Sequence, residues 1–137
     1  MSITSNRAAA LAAVALTLGS SYVSAHHSFA MFDRKTEMVR TGTVKEFQWS
    51  NPHSYIQLIS DQDGHNWSIE GAGVNYLLRV KWRPNSLLAG DKITVHFHPL
   101  RNGAYGGELM WVKKADGTIL GDVHMGDPPP PGKSATE

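Results

Sequence analysis

Seven histidines and no cysteine set the chemistry open to this 137-residue chain. Without thiols there is no disulfide, thiolate metal site, covalent c-type haem attachment or lipidated cysteine. Any ligating or reactive group is therefore histidine, carboxylate, methionine or backbone. His26 and His27 stand side by side directly after Val23-Ser24-Ala25. In a chain that begins at His26, the α-amino group lies beside its own imidazole, and His27 brings a second ring one residue on. An α-amine titrates near about 7.7 and imidazole near about 6.5, so both nitrogens can be unprotonated close to neutrality. Amine and imidazole donors favour Cu(II) among the first-row ions. His26 and His27 are thus candidate copper ligands, and a cut one residue earlier, which puts His27 third, favours the same metal.

Other histidines fall in patterns that could add to these. His96 and His98 form a His-x-His pair on one face of an alternating segment, a spacing that lets two rings meet one ion. That face is the outward one, where solvated histidines are common, and a purely structural role is the stronger reading for His96. His53 lies in the turn "SNPHS" and Arg101 in "HPLRNGAYGG". His124-Met125 offers a soft pair in the tail. Trp49, Trp67, Trp82 and Trp111 are candidate stacking surfaces, with Trp49 nearest the loop histidine, although a tryptophan in a small barrel is more often core. "DQDG" lacks the remaining ligands of a calcium loop and reads as a hairpin turn.

The elements that must position these residues follow from patterning. Arg7 is the only charge among residues 1–25, and "AAALAAVALTL" is an apolar run closed by small residues, so 1–25 read as a signal peptide cut after Ala25. The run is shorter than the roughly 20 residues of a membrane span. What remains is 112 residues with 12 basic and 12 acidic side chains. That balance excludes the basic stripe a nucleic-acid backbone demands, and the exported chain has no membrane segment. Residues 26–36 form a lead segment and 37–121 one β domain. Residues 122–137, with "DPPPPG", form a Pro-rich disordered tail.

Within the domain, "EMVRTGTVKEFQWS", "SYIQLIS", "NWSIEG", "KITVHFHPL" and "ELMWVKK" read as strands, with a bulge or sharp bend expected between Val44 and Phe47, where the alternation changes phase. "GVNYLLRVKW" switches to helical spacing, with Val74, Leu77, Leu78 and Lys81 on one face, which predicts two to three turns. Three strands, a helix and two strands is the order of a small five-stranded OB-like barrel with one short helix between strands three and four; an open β-sandwich with a helical crossover is the alternative. The expected core is Val44, Phe47, Ile56, Leu58, Trp67, Ile69, Leu77, Ile93, Val95, Phe97 and Leu109. In such a barrel the loops joining strands one to two and four to five frame one binding face. His53, His98 and Arg101 are then expected to converge, and His65, in the hairpin between strands two and three, to lie apart.

"AHHSFAMFD", "GTVKEFQWSNPHSYIQL" and "LLAGDKITVHFHPLRNGAYGG" together resemble an uncharacterised family of small exported bacterial proteins of unknown function. The likeness covers nearly all of the chain after the signal segment, apart from the tail, and implies no activity. The paired histidines at the cleavage site also resemble the amino-terminal histidine brace of exported copper proteins. No nucleophile with a base and orienter, phosphate loop or prominent carboxylate pair is recognisable. The functional expectation is a binding protein, periplasmic or secreted, that takes copper on His26, His27, His53 and His98, with Arg101 and Trp49 at the same mouth. The alternative is a metal-free module that holds an exported protein partner, a carbohydrate or a peptide.

Overall fold

The computed structural model describes residues 29–121. A 3₁₀ turn covers Phe29–Met31. Six strands follow: β1 (Met38–Gln48), β2 (Ser54–Ser60), β3 (Asn66–Gly71), β4 (Lys92–Pro99), β5 (Gly106–Lys114) and β6 (Ile119–Gly121). A single short helix, α1 (Val74–Arg79), lies between β3 and β4. The sheet order is β3-β2-β1-β4-β5-β6, and β3 also pairs with β5. That last pairing is parallel, whereas the others are antiparallel. β1 to β5 therefore close into a mixed five-stranded barrel of the OB-like order, and β6 extends the sheet beyond β5.

Strand β1 serves two parts of the wall. Its first half pairs with β4, from Met38–Phe97 to Thr43–Lys92, and its second half with β2, from Gly42–Ser60 to Gln48–Tyr55. The register shifts between Val44 and Glu46, where the phase change in the sequence requires a bulge. The extra residue tightens the strand's coiling and lets it turn the barrel corner. In the β2–β3 hairpin only Gly64 has a positive φ, 71°. Asp63 stays on the ordinary side, so the turn is not the mirror-image two-residue type that Asp-Gly signals.

The expected core forms, with every member buried except Phe47, which is half-buried and packs against it. Trp82, Leu87 and Val112 join it. Val112 turns inward because β5 shifts register against β4 between His96 and Phe97, making Met110 an extra residue. The helix is shorter than its spacing predicts. It stops at Arg79 because Lys81 adopts a left-handed φ of 72°, and Trp82 N–H then bonds the Leu77 carbonyl at 2.9 Å while Lys81 N–H reaches that of Leu78. This is a Schellman stop built on a residue other than glycine. Of the predicted face, Leu77 is buried but Leu78 is exposed. A side chain in the left-handed region costs about 1–2 kcal/mol, so Lys81→Gly is expected to stabilise the fold by about 1 kcal/mol, read as a higher urea midpoint.

Three exposed turns carry acid sensitivity. Asp33, Asp63 and Asp116 each accept the backbone N–H two residues on, from Lys35, His65 and Thr118. Asp33 is held below the usual carboxylate range by the Thr36 hydroxyl and the Lys35 amide, and Asp116 by the Thr118 amide and side chain. For Asp63, desolvation is the largest influence and acts upward, but hydrogen bonds from His65, Ser60 and Trp67 together outweigh it. A lowered native pKa gives stability that is present above the unfolded value near about 3.9 and lost as pH falls through the native one. The urea midpoint is expected to hold from pH 7 to pH 5 and then fall below about pH 4. The triple Asn variant at these positions should flatten that acid limb.

Candidate binding face

Alternation sends Ile56, Ile69, Phe97 and Leu109 into the barrel and so turns Tyr55, Glu70, His98 and Glu108 outward. Strand register then aligns these four. Tyr55 pairs with Glu70 across β2 and β3, Glu70 with Glu108 across β3 and β5, and Glu108 with His98 across β5 and β4. The result is a continuous polar row across four strands.

At one end, the row is roofed by residues 32–36. Phe32, 3% exposed, bridges to Leu100, and Asp33 N–H bonds the Pro99 carbonyl at 2.8 Å. Arg34 then forks onto Glu108, with Nε 2.8 Å from Oε2 and Nη2 2.5 Å from Oε1. Only one partner is deeply buried, the side chains being 36% and 6% exposed respectively. The two parallel charge-assisted bonds explain how a carboxylate can sit under that roof. His98 Nδ1 lies 2.9 Å from the Thr36 carbonyl. A carbonyl only accepts, so this nitrogen carries the proton. His98 is 5% exposed. It faces outward as the alternation requires, yet it is not solvated, because residues 32–36 lie over it.

At the other end stands His53. Its Nδ1 is 3.1 Å from Glu70 Oε1, while the Tyr55 hydroxyl donates to Glu70 Oε2 at 3.4 Å. Burial first, and then the charge and hydrogen bond of Glu70, push the Tyr55 phenol upward, so it stays protonated and donating. The loop carrying His53 is tied down on both sides. Ser50 donates to the His53 carbonyl at 2.7 Å, and Asn51 Oδ1 accepts the Val74 N–H at the start of α1 at 2.9 Å. The Asn51–Pro52 bond is cis.

His53 and His98 therefore belong to one row, at its opposite ends, with two carboxylates between them. Arg101 sits beyond the roofed end, its side chain 57% exposed and 3.9 Å from Asp33 Oδ1. Trp49 is half-buried against the core, edge-on to Phe47 at 5.7 Å. His96 lies flat on Trp111, ring centres 3.5 Å apart, with Nδ1 on the Glu37 carboxylate. The successive residues Thr36 and Glu37 thus hold the two rings of the His-x-His pair. Among the described residues, no three histidine or carboxylate groups are gathered as a metal site. His26 and His27, and His124-Met125, lie outside the described residues.

His65 is not isolated. Its ring stacks on Tyr105, in the loop after β4, at 4.0 Å and 17°. The parallel pairing of β3 with β5 is the reason, since both strands begin at that end of the barrel. Arg34, Tyr55, Glu70 and Glu108 were invisible as a group in the sequence. The one signal was Glu108, a carboxylate directly before the apolar run Leu109 to Val112.

Residues 13–109 match a family described as a family of unknown function, DUF6152, and the chain belongs to that family. No curated protein and no solved structure matches the chain.

Proposed function

We propose that this family member is an exported binding module that takes copper at its processed amino terminus. His26 supplies amine and imidazole and His27 a second ring; His98 or His53, one at each end of the polar row, is proposed as the third ligand, with Arg101 placing an anionic partner near the His98 end. The observation that carries the reading is the histidine pair set directly behind Val23-Ser24-Ala25 and its apolar run. The geometry of His98 supports it. Its Nδ1–H is committed to a backbone carbonyl, the outer-shell arrangement that orients metal-binding imidazoles. The module would act in the periplasm or outside the cell.

The test is metal analysis of protein exported on its own leader, compared with a version carrying one extra residue before His26. Copper is expected in the first, with affinity lower by roughly tenfold or more in the second, as for loss of a well-placed donor. Equal copper in both would overturn the amine-dependent site.

A metal-free accessory module is the second reading. The pairing of His53 with Glu70 and of Arg34 with Glu108 favours it, because a polar face wired in this way can recognise hydrogen-bonding ligands with no ion present. Replacing His53 and Arg101 should then release a captured partner, whereas replacing His26 should not.

A further inference from the structure

The outer surface of β2 and β3 continues below the row described above. Gln57 and Ser68 are cross-strand partners, as are Ile59 and Asn66. Gln57 Nε2 donates to Ser68 Oγ at 3.0 Å, and Asn66 Nδ2 donates to Gln57 Oε1 at 2.9 Å. Each amide spends one proton on this ladder. A primary amide has two protons and two lone pairs, so Gln57 and Asn66 both keep capacity beyond the ladder. The ladder fixes their orientation without exhausting them.

An aromatic pair stands at the barrel end where β3 and β5 begin, one residue from the last member of the ladder. His65, next in the chain to Asn66, stacks on Tyr105. The Tyr105 carbonyl accepts the Ser68 N–H at 3.1 Å, which ties the loop to the same strand. Tyr105 is held edge-on against buried Trp67 at 5.3 Å, yet remains 49% exposed. A large ring fixed in place and half in water gives a rigid platform at little entropic cost.

We infer that this face is a binding site for a neutral oligosaccharide. A pyranose presents an apolar C–H face and a rim of hydroxyls. The ring pair matches the first, and the Asn66–Gln57–Ser68 ladder matches the second, each amide pairing a donor and an acceptor with neighbouring hydroxyls. Glu70, with Tyr55 and His53, extends hydrogen-bonding groups along the same two strands for a further sugar unit. The inference deepens the metal-free reading by naming its ligand class, and it does not require copper.

The experiment uses the ¹⁵N-labelled full chain in EDTA, titrated with cellohexaose, xylohexaose, maltohexaose and chitohexaose, with an unrelated neutral hexapeptide as comparison. At least one sugar is expected to bind and to shift the amides of Gln57, Asn66, Ser68 and Tyr105. Tyr105→Ala should weaken it about tenfold, as for an exposed anchor, and Tyr105→Phe should keep it within about twofold because stacking needs the ring rather than the hydroxyl. Gln57→Ala should weaken it about fivefold, one net hydrogen bond. Binding by none of the sugars, shifts centred elsewhere, parental affinity in folded Tyr105→Ala, or preference for the peptide would each overturn the inference. Because chelator is present throughout, loss of the copper site leaves these outcomes unchanged, and loss of sugar binding says nothing against copper.

Discussion

Gly42→Ala is expected to cost about 3 kcal/mol or more, enough to put a domain of this size near its limit of stability. Gly42 is where β1 passes from one partner to the other, since it pairs with Ser60 on one side and with Ile93 on the other. A Cβ there would lie 2.2 Å from the Ile59 carbonyl oxygen and 2.9 Å from its carbon. Both are backbone atoms, and neither can retreat without breaking a registered strand pair. A side chain in the way could change rotamer, but a ladder cannot. Urea unfolding followed by tryptophan fluorescence measures the loss, with Thr43→Ala one residue on as a control for lost strand propensity. A Gly42→Ala midpoint equal to the parent's would mean that the strand crossing is looser than described.

Trp82→Ala should be nearly as damaging, about 3–5 kcal/mol for a large ring removed from a closed core. Trp82 is 0% exposed, leans on Phe47 at 5.5 Å and donates its indole N–H to the Gly121 carbonyl at 2.9 Å. It plugs the barrel and anchors the last strand with one side chain. Trp82→Phe separates these jobs. Much of the volume stays, but the Gly121 carbonyl loses its buried donor, worth about 1–2 kcal/mol. The two variants measured side by side should therefore differ by at least about 1 kcal/mol. Similar losses would mean that the hydrogen bond, and not the packing, dominates.

Trp82 also shows where the sequence stopped being readable. The strands were legible because alternation is a local property: Ile93, Val95 and Phe97 declare an inward face without knowledge of any neighbour. The bulge after Val44 was legible for the same reason. Leu87 sits in a connection with no period, and Trp82 ends a helical spacing that did not mark it for the core, yet both are buried there. Val112 was hidden by a register shift that depends on β4 as much as on β5. Lys81 carried no mark of a helix stop, because glycine is the usual residue there.

The binding face divides in the same way. His53 and His98 drew attention through residue type and loop position. The polar row joining them is a product of pairing, in which Glu70 and Glu108, 38 positions apart in the chain, become neighbours only through the parallel contact of β3 with β5. The burial of His98 was equally unreadable. It depends on Phe32 and Asp33 bonding to Leu100 and Pro99, a contact with no local pattern. His65 drew the opposite expectation because the hairpin was placed without knowing that β5 starts beside it.

Closure of the wall is uneven. Strands β3 and β5 share only the steps Ser68–Gly106, Ile69–Gly107 and Glu70–Glu108, whereas β5 is stitched to β4 from Ile93–Lys114 to Pro99–Gly107. The thinnest seam is thus where the cylinder should breathe, unzipping ahead of global unfolding and letting amide hydrogens there exchange with solvent soonest. A guest held by both Ser68 and Tyr105 would lie across that seam like a rivet. Occupancy would then be felt as a stiffening of the whole cylinder rather than as a local event at its surface.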